Sequence, residues 1–187
     1  MRASWGRGNH ADRNVVAGNF IGTEATGTAA LSNGIDGVLI FAGASNNLVG
    51  GASAAARNII SGNQNGVRIS GTDANGNMVQ GNFIGTDVTG SVKIGNSIAG
   101  VGIDNIVTGN VVGGSVAGVG NVISGNAGGV RIVAQGANAN LVQGNRIGTD
   151  FSGTAAIGNR DYGVLIDVFA ADNTVGGAAA AARNIIS

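Results

Sequence analysis

Gly81-Asn82-Phe83-Ile84-Gly85-Thr86 is one of three versions of the same phrase in this chain of 187 residues. The others are Gly18-Asn19-Phe20-Ile21-Gly22-Thr23 and Gly144-Asn145-Arg146-Ile147-Gly148-Thr149, each one step of 63 residues away. Gly37-Val38, Gly100-Val101 and Gly163-Val164 keep that step, and Asn58-Ile59-Ile60-Ser61, Asn121-Val122-Ile123-Ser124 and Asn184-Ile185-Ile186-Ser187 keep it too. A fixed period with no insertion or deletion marks a repeat architecture, so the repeat unit comes before any local reading.

The unit divides again. A marker asparagine falls at Asn14, Asn47, Asn77, Asn110, Asn140 and Asn173, at intervals that alternate between 33 and 30 residues. Each half carries three short apolar pulses, for example Asn47-Leu48-Val49, Asn58-Ile59-Ile60 and Gly66-Val67-Arg68-Ile69. Three short strands separated by Gly/Asn corners describe one coil of a three-sided solenoid. The expected fold is therefore all-β, a right-handed parallel β-helix of about six coils with a two-coil repeat. At about 4.8 Å per coil it would be about 29 Å long.

Competing architectures fail on composition. The pulses are too short for helices, and 36 Gly would cost a helical solenoid about 1 kcal/mol at each interior position. The aromatic signature of a propeller blade is missing, and so are the prolines of collagen.

Side-chain alternation then assigns the faces. Val38, Ile40, Val67, Ile69, Val101, Ile103, Val130, Ile132, Val164 and Ile166 should point inward, with Arg68 and Arg131 outward. The marker asparagines form one column, and Asn33, Asn63, Asn96, Asn126 and Asn159 form a second. Stacked amides can donate to and accept from the next rung, and Asn tolerates left-handed corners, so both columns are expected to be Asn ladders. The whole chain, 1–187, reads as a single domain. Residues 1–13 form a partial, frayed first coil, followed by repeats 14–76, 77–139 and an incomplete 140–187.

The Gly-Asn-x-Ile-Gly-Thr-Asp-x-Thr-Gly of residues 81–90, with Ala56-Arg57-Asn58-Ile59-Ile60-Ser61-Gly62-Asn63 before it, resembles the repeat of bacterial right-handed parallel β-helix repeat proteins. That group is similar in fold to the pectin-lyase-like proteins. The resemblance implies an extracellular or cell-surface protein in which such units run in tandem. No motif of this chain matches the lyase catalytic residues, so none is carried over.

Charge and composition narrow the partners. Charged residues make up 11% of the chain, against about 25% in ordinary domains, and the net charge is zero. Long-range attraction to nucleic acid therefore has no source. No apolar run is long enough to insert in a membrane, and no apolar segment follows Met1–Gly8 to make a secretory leader. The chain has no cysteine, which excludes disulfides and thiolate metal sites.

No catalytic set, metal set or cofactor motif stands out. A surface strip is the leading binding candidate. Arg68, Asp104, Arg131 and Asp167 share one outer face, and diagonal spacing should let Arg68 reach Asp104 and Arg131 reach both Asp104 and Asp167. The strip reads as a charge ladder or, alternatively, as a polysaccharide-binding face. As a glycosidase pair, Asp104 and Asp167 would stand about 9.6 Å apart without a cleft. Glu24, Asp87 and Asp150 make an acidic column that reads as loop polarity in preference to calcium binding. Thr at the bends recurs only every second coil, too sparsely for an ice-matching face. Phe20 and Phe83 take an outward position that is Arg146 in the third copy, and His10 has no co-ligand.

The first and last residues have nearly the same phase in the repeat, so a second molecule could stack head to tail with corners in register. The functional expectation is a structural module, not an enzyme, that self-stacks into filaments. Its partner would be itself, with polysaccharide binding, and behind it a lyase-like action with Arg as base, as the alternative.

Overall fold

The computed structural model describes residues 11–187. The first coil contributes β1 (Val15–Val16), β2 (Phe20–Ile21) and β3 (Asp36–Phe41), and the second β4 (Leu48–Gly50), β5 (Ile59–Ile60) and β6 (Asn65–Ser70). The third holds β7 (Met78–Gln80), β8 (Phe83–Ile84) and β9 (Ala99–Asp104), and the fourth β10 (Val111–Gly113), β11 (Val122–Ile123) and β12 (Gly128–Val133). The fifth holds β13 (Leu141–Gln143), β14 (Arg146–Ile147) and β15 (Tyr162–Asp167), and β16 (Thr174–Val175) and β17 (Ile185–Ile186) begin a sixth. Corresponding strands pair in parallel from coil to coil. They give sheets of six, six and five strands, which are the three sides of a parallel β-helix. Of the expected frayed first coil, residues 1–10 lie outside the described residues. Arg13 is already tied in, its N–H donating to the Ser45 carbonyl at 3.2 Å.

Register explains why so plain a composition suffices. Val16, Val49, Val79, Val112, Val142 and Val175 stack directly on one another along the first sheet. Ile21, Ile60, Ile84, Ile123, Ile147 and Ile186 do so along the second. The third sheet adds a Val column from Val38 to Val164 and an Ile column from Ile40 to Ile166. Four columns of one residue type each fill a narrow interior in which every methyl meets its own kind one coil away. The inward assignments hold: Val67, Ile69, Val101, Ile103, Val130 and Ile132 are fully buried, and Val38 and Val164 are partly so. Ile166 faces the same way but is exposed, because β15 is the edge strand of its sheet.

Both expected ladders are present. In the first, Asn14, Asn47, Asn77, Asn110 and Asn140 each donate a side-chain N–H to the Oδ1 of the next member, at 2.9–3.1 Å. Their backbone N–H groups donate to the same oxygens. The second joins Asn33, Asn63, Asn96, Asn126 and Asn159. Asn63 passes only its backbone N–H along this column, while its amide turns to the carbonyls of Ser61 and Ile21.

A third ladder runs through Asn19, Asn58, Asn82, Asn121, Asn145 and Asn184. Three columns for three corners satisfy the backbone groups that a sharp bend takes out of the sheets. At several corners the glycine is sterically required. Gly85 sits at φ +90°, and a Cβ there would overlap the Ser124 carbonyl and the Asn126 amide of the next coil.

Candidate functional site

The predicted strip lies on the outer face of the third sheet. Arg68, Gly102, Arg131 and Leu165 are neighbours in register, as are Ser70, Asp104, Val133 and Asp167. Asp104 is buried. Its Oδ2 accepts from Arg68 Nε at 2.7 Å and its Oδ1 from Arg131 Nη2 at 2.9 Å. Gly102 lies between the two arginines in register and places no side chain there, which leaves room for both to fold onto the single carboxylate.

The expectation that Arg131 also reaches Asp167 is corrected. Asp167 ends its strand, and its Oδ1 accepts from the Val168 N–H at 2.7 Å, capping the corner instead. The strip is therefore a three-residue clamp over adjacent coils, not a four-residue row. Both Asp104 oxygens are engaged by guanidinium donors. The carboxylate thus shares its charge between two guanidinium groups of this chain. Tyr162 borders the clamp. Its ring covers Gly128, and burial pushes its hydroxyl pKa up from the ordinary phenol value.

The acidic column closes loops. Thr23, Thr86 and Thr149 each bridge across a short bend to Ala30, Lys93 and Ala156, and the next residue inserts its carboxylate into the bend. Glu24 accepts from the N–H groups of Thr26, Thr28 and Ala29 at 2.9–3.1 Å. Asp150 accepts from the hydroxyl of Ser152 and the N–H groups of Thr154 and Ala155. The Thr26 hydroxyl first, then the Thr26 and Thr28 N–H groups, hold the Glu24 pKa down to about 2. The Ser152 hydroxyl first, then the Ala155 N–H, hold Asp150 at about 2. At Asp87 burial opposes, yet the Val92 N–H and Thr89 hydroxyl keep its pKa below the usual carboxylate range. The loop's own donors thus occupy these oxygens, and no group of three His, Cys, Asp or Glu able to hold a metal occurs among the described residues.

The outer face of the second sheet departs most from expectation. Ile59, Phe83 and Val122 point away from the interior but are buried as a second small core. The loops that precede β5 and β11 and the bend after β8 stand on either side of them. Arg57 closes over the top, with its guanidinium carbon 4.0 Å from the centre of the Phe83 ring. Phe151 leans on Phe83 at 5.3 Å between centroids. Phe83 is thus unavailable for stacking on a sugar, while Phe20 in the first copy stays exposed.

Sequence reasoning passed over Arg57, Phe151 and the Asn19–Asn184 ladder. The ladder's spacing alternates between 39 and 24 residues, and only their 63-residue return could have revealed it. His10 falls outside the described residues. No family model, no curated protein and no solved structure matches this chain. The β-helix itself is carried by the structure, while the bacterial and pectin-lyase-like resemblance rests on the repeat phrases alone.

Proposed function

We propose that this chain is a structural β-helix module whose coils stack end to end, a second copy continuing the solenoid head to tail. The directionality of the Asn ladders carries this reading. In every step the earlier coil donates and the later coil's Oδ1 accepts, as between Asn47 and Asn77 or Asn121 and Asn145. Asn14 and Asn19 of a second copy added in the same direction extend the ladders that end at Asn173 and Asn184 by the same bonds. Val16 and Ile21 of that copy continue the apolar columns that end at Val175 and Ile186. A contact of this kind is heterologous, does not close on itself and propagates as a filament.

The extracellular or cell-surface location belongs to the same reading and is supported by the resemblance of the repeat. Polysaccharide binding on the Arg68–Asp104–Arg131 face is the weaker reading, because the charged side chains there already pair with one another.

Negative-stain electron microscopy across a concentration series tests the proposal. Unbranched filaments of uniform width, growing with concentration, support it. Discrete short particles at every concentration overturn it. Filaments should also survive Arg131→Ala, since that side chain lies on the outer face and not in the ladders.

A further inference from the structure

Three departures from the repeat meet on the outer face of the second sheet. Gly120 stands where the other copies have Arg57 and Arg183, Arg146 stands where they have Phe20 and Phe83, and Phe151 stands where they have Ala25 and Val88. All three line one cavity of about 410 Å³, together with Arg57 and Phe83. Gly120 leaves open the space that an arginine side chain would otherwise reach across.

The cavity is cationic without a counter-ion. The Arg57 and Arg146 guanidinium carbons lie 5.3 Å and 5.9 Å from the Phe151 ring centre. Among the described residues neither arginine forms an ion pair, and no carboxylate lines the cavity. Arg57 Nε donates to the Gly81 carbonyl at 3.3 Å, and Arg146 Nε is buried without a partner. A buried guanidinium donor left unpaired is costly, so a site that keeps one implies something to fill it. Packing does not require the arginine, because phenylalanine serves at the equivalent position of the other two copies.

We propose that this cavity binds a small organic carboxylate, its charge held by Arg146 and Arg57 and its apolar body laid against Phe151. A guanidinium fork matches the two oxygens of a carboxylate in one plane. The exposed faces of Phe151 and Val116 favour a ligand with an apolar body over a fully hydrated inorganic anion. The volume falls in the range of small-molecule sites, about 300–1,000 Å³.

The test is titration of the full chain with benzoate, followed by the arginine Nε–H resonances, with sulfate and inorganic phosphate in parallel. The expected result is a saturable shift of the Arg146 Nε–H with a dissociation constant of about 1 mM. Binding should weaken at least about tenfold in both Arg146→Phe and Arg146→Gln. Arg146→Phe restores the residue of the other copies and should melt no lower than the parent, while Arg146→Gln carries the test should the phenylalanine variant misfold. Arg68→Gln, on the other face, should bind as the parent does. No saturation by about 50 mM benzoate would overturn the proposal. So would equal binding by the Arg146 variants, or sulfate and phosphate saturating as tightly as benzoate.

Discussion

Ile123 and Ile186 occupy the same position of the repeat, yet Ile123 is fully buried in a central coil and Ile186 is 50% exposed on the edge strand β17. Ile132 and Ile166 differ in the same way on the third sheet, at 0% and 41%. The residue, its backbone and its facing are alike in each pair. What differs is whether a coil lies on both sides. In a solenoid the stabilising contacts belong to the interface between repeats, so position in the array outweighs identity.

The sharpest way to break that comparison is to truncate both members of a pair. Ile123→Ala should cost about 2–5 kcal/mol, read as a lower denaturant midpoint. Ile186→Ala should cost less than about 1 kcal/mol, because much of its surface is already in water. Equal losses would contradict the interface account. If copies stack, the Ile186→Ala penalty should grow with protein concentration, which links this pair to the filament test.

The ladder repeats the contrast in polar form. Asn121→Ala removes the oxygen that accepts from both the N–H and the amide of Asn82. It strands two buried donors, at about 1–3 kcal/mol each. Asn184→Ala strands the donors of Asn145 nearer the open end and should cost less in the same unfolding assay.

The ion pairs give a smaller effect. Asp104→Asn leaves two arginines around a buried amide and should cost about 1–3 kcal/mol, read as a lower denaturant midpoint. Asp161→Asn removes a pair to its neighbour Arg160 that lies in solvent and should leave the midpoint unchanged.

The least effect on stability, though the clearest on titration, concerns the bend carboxylates. Glu24 and Asp150 have folded pKa values of about 2, against ordinary values of 4.5 and 3.8. Their contribution is present above the ordinary values and is lost as the pH falls through about 2. Carboxyl resonances titrating near 4 in the folded protein would contradict the hydrogen-bonded bends.

Much of this architecture was legible because parallel stacking turns sequence period into space. Val67 and Val130 could be assigned to the core, and Asn47 and Asn77 to a ladder, from period and alternation alone. The candidate site was legible only in part. Arg68 and Arg131 were placed on the correct face, but their sharing of Asp104 depended on the room left beside Gly102 and on Asp167 turning to cap Val168. Phe83 was assigned an outward position, yet loops from other coils bury it.

The sequence by itself determined the repeat, the coil, the inward Val and Ile columns and two Asn ladders, because each follows from a period that one chain can display. Tertiary structure alone decided which arginine meets which carboxylate, how the third ladder closes, and where Gly120, Arg146 and Phe151 come together. The ion pairs and the third ladder join side chains 24 to 39 residues apart along the chain. Their meeting is set by the volume left on a shared face, which no period records.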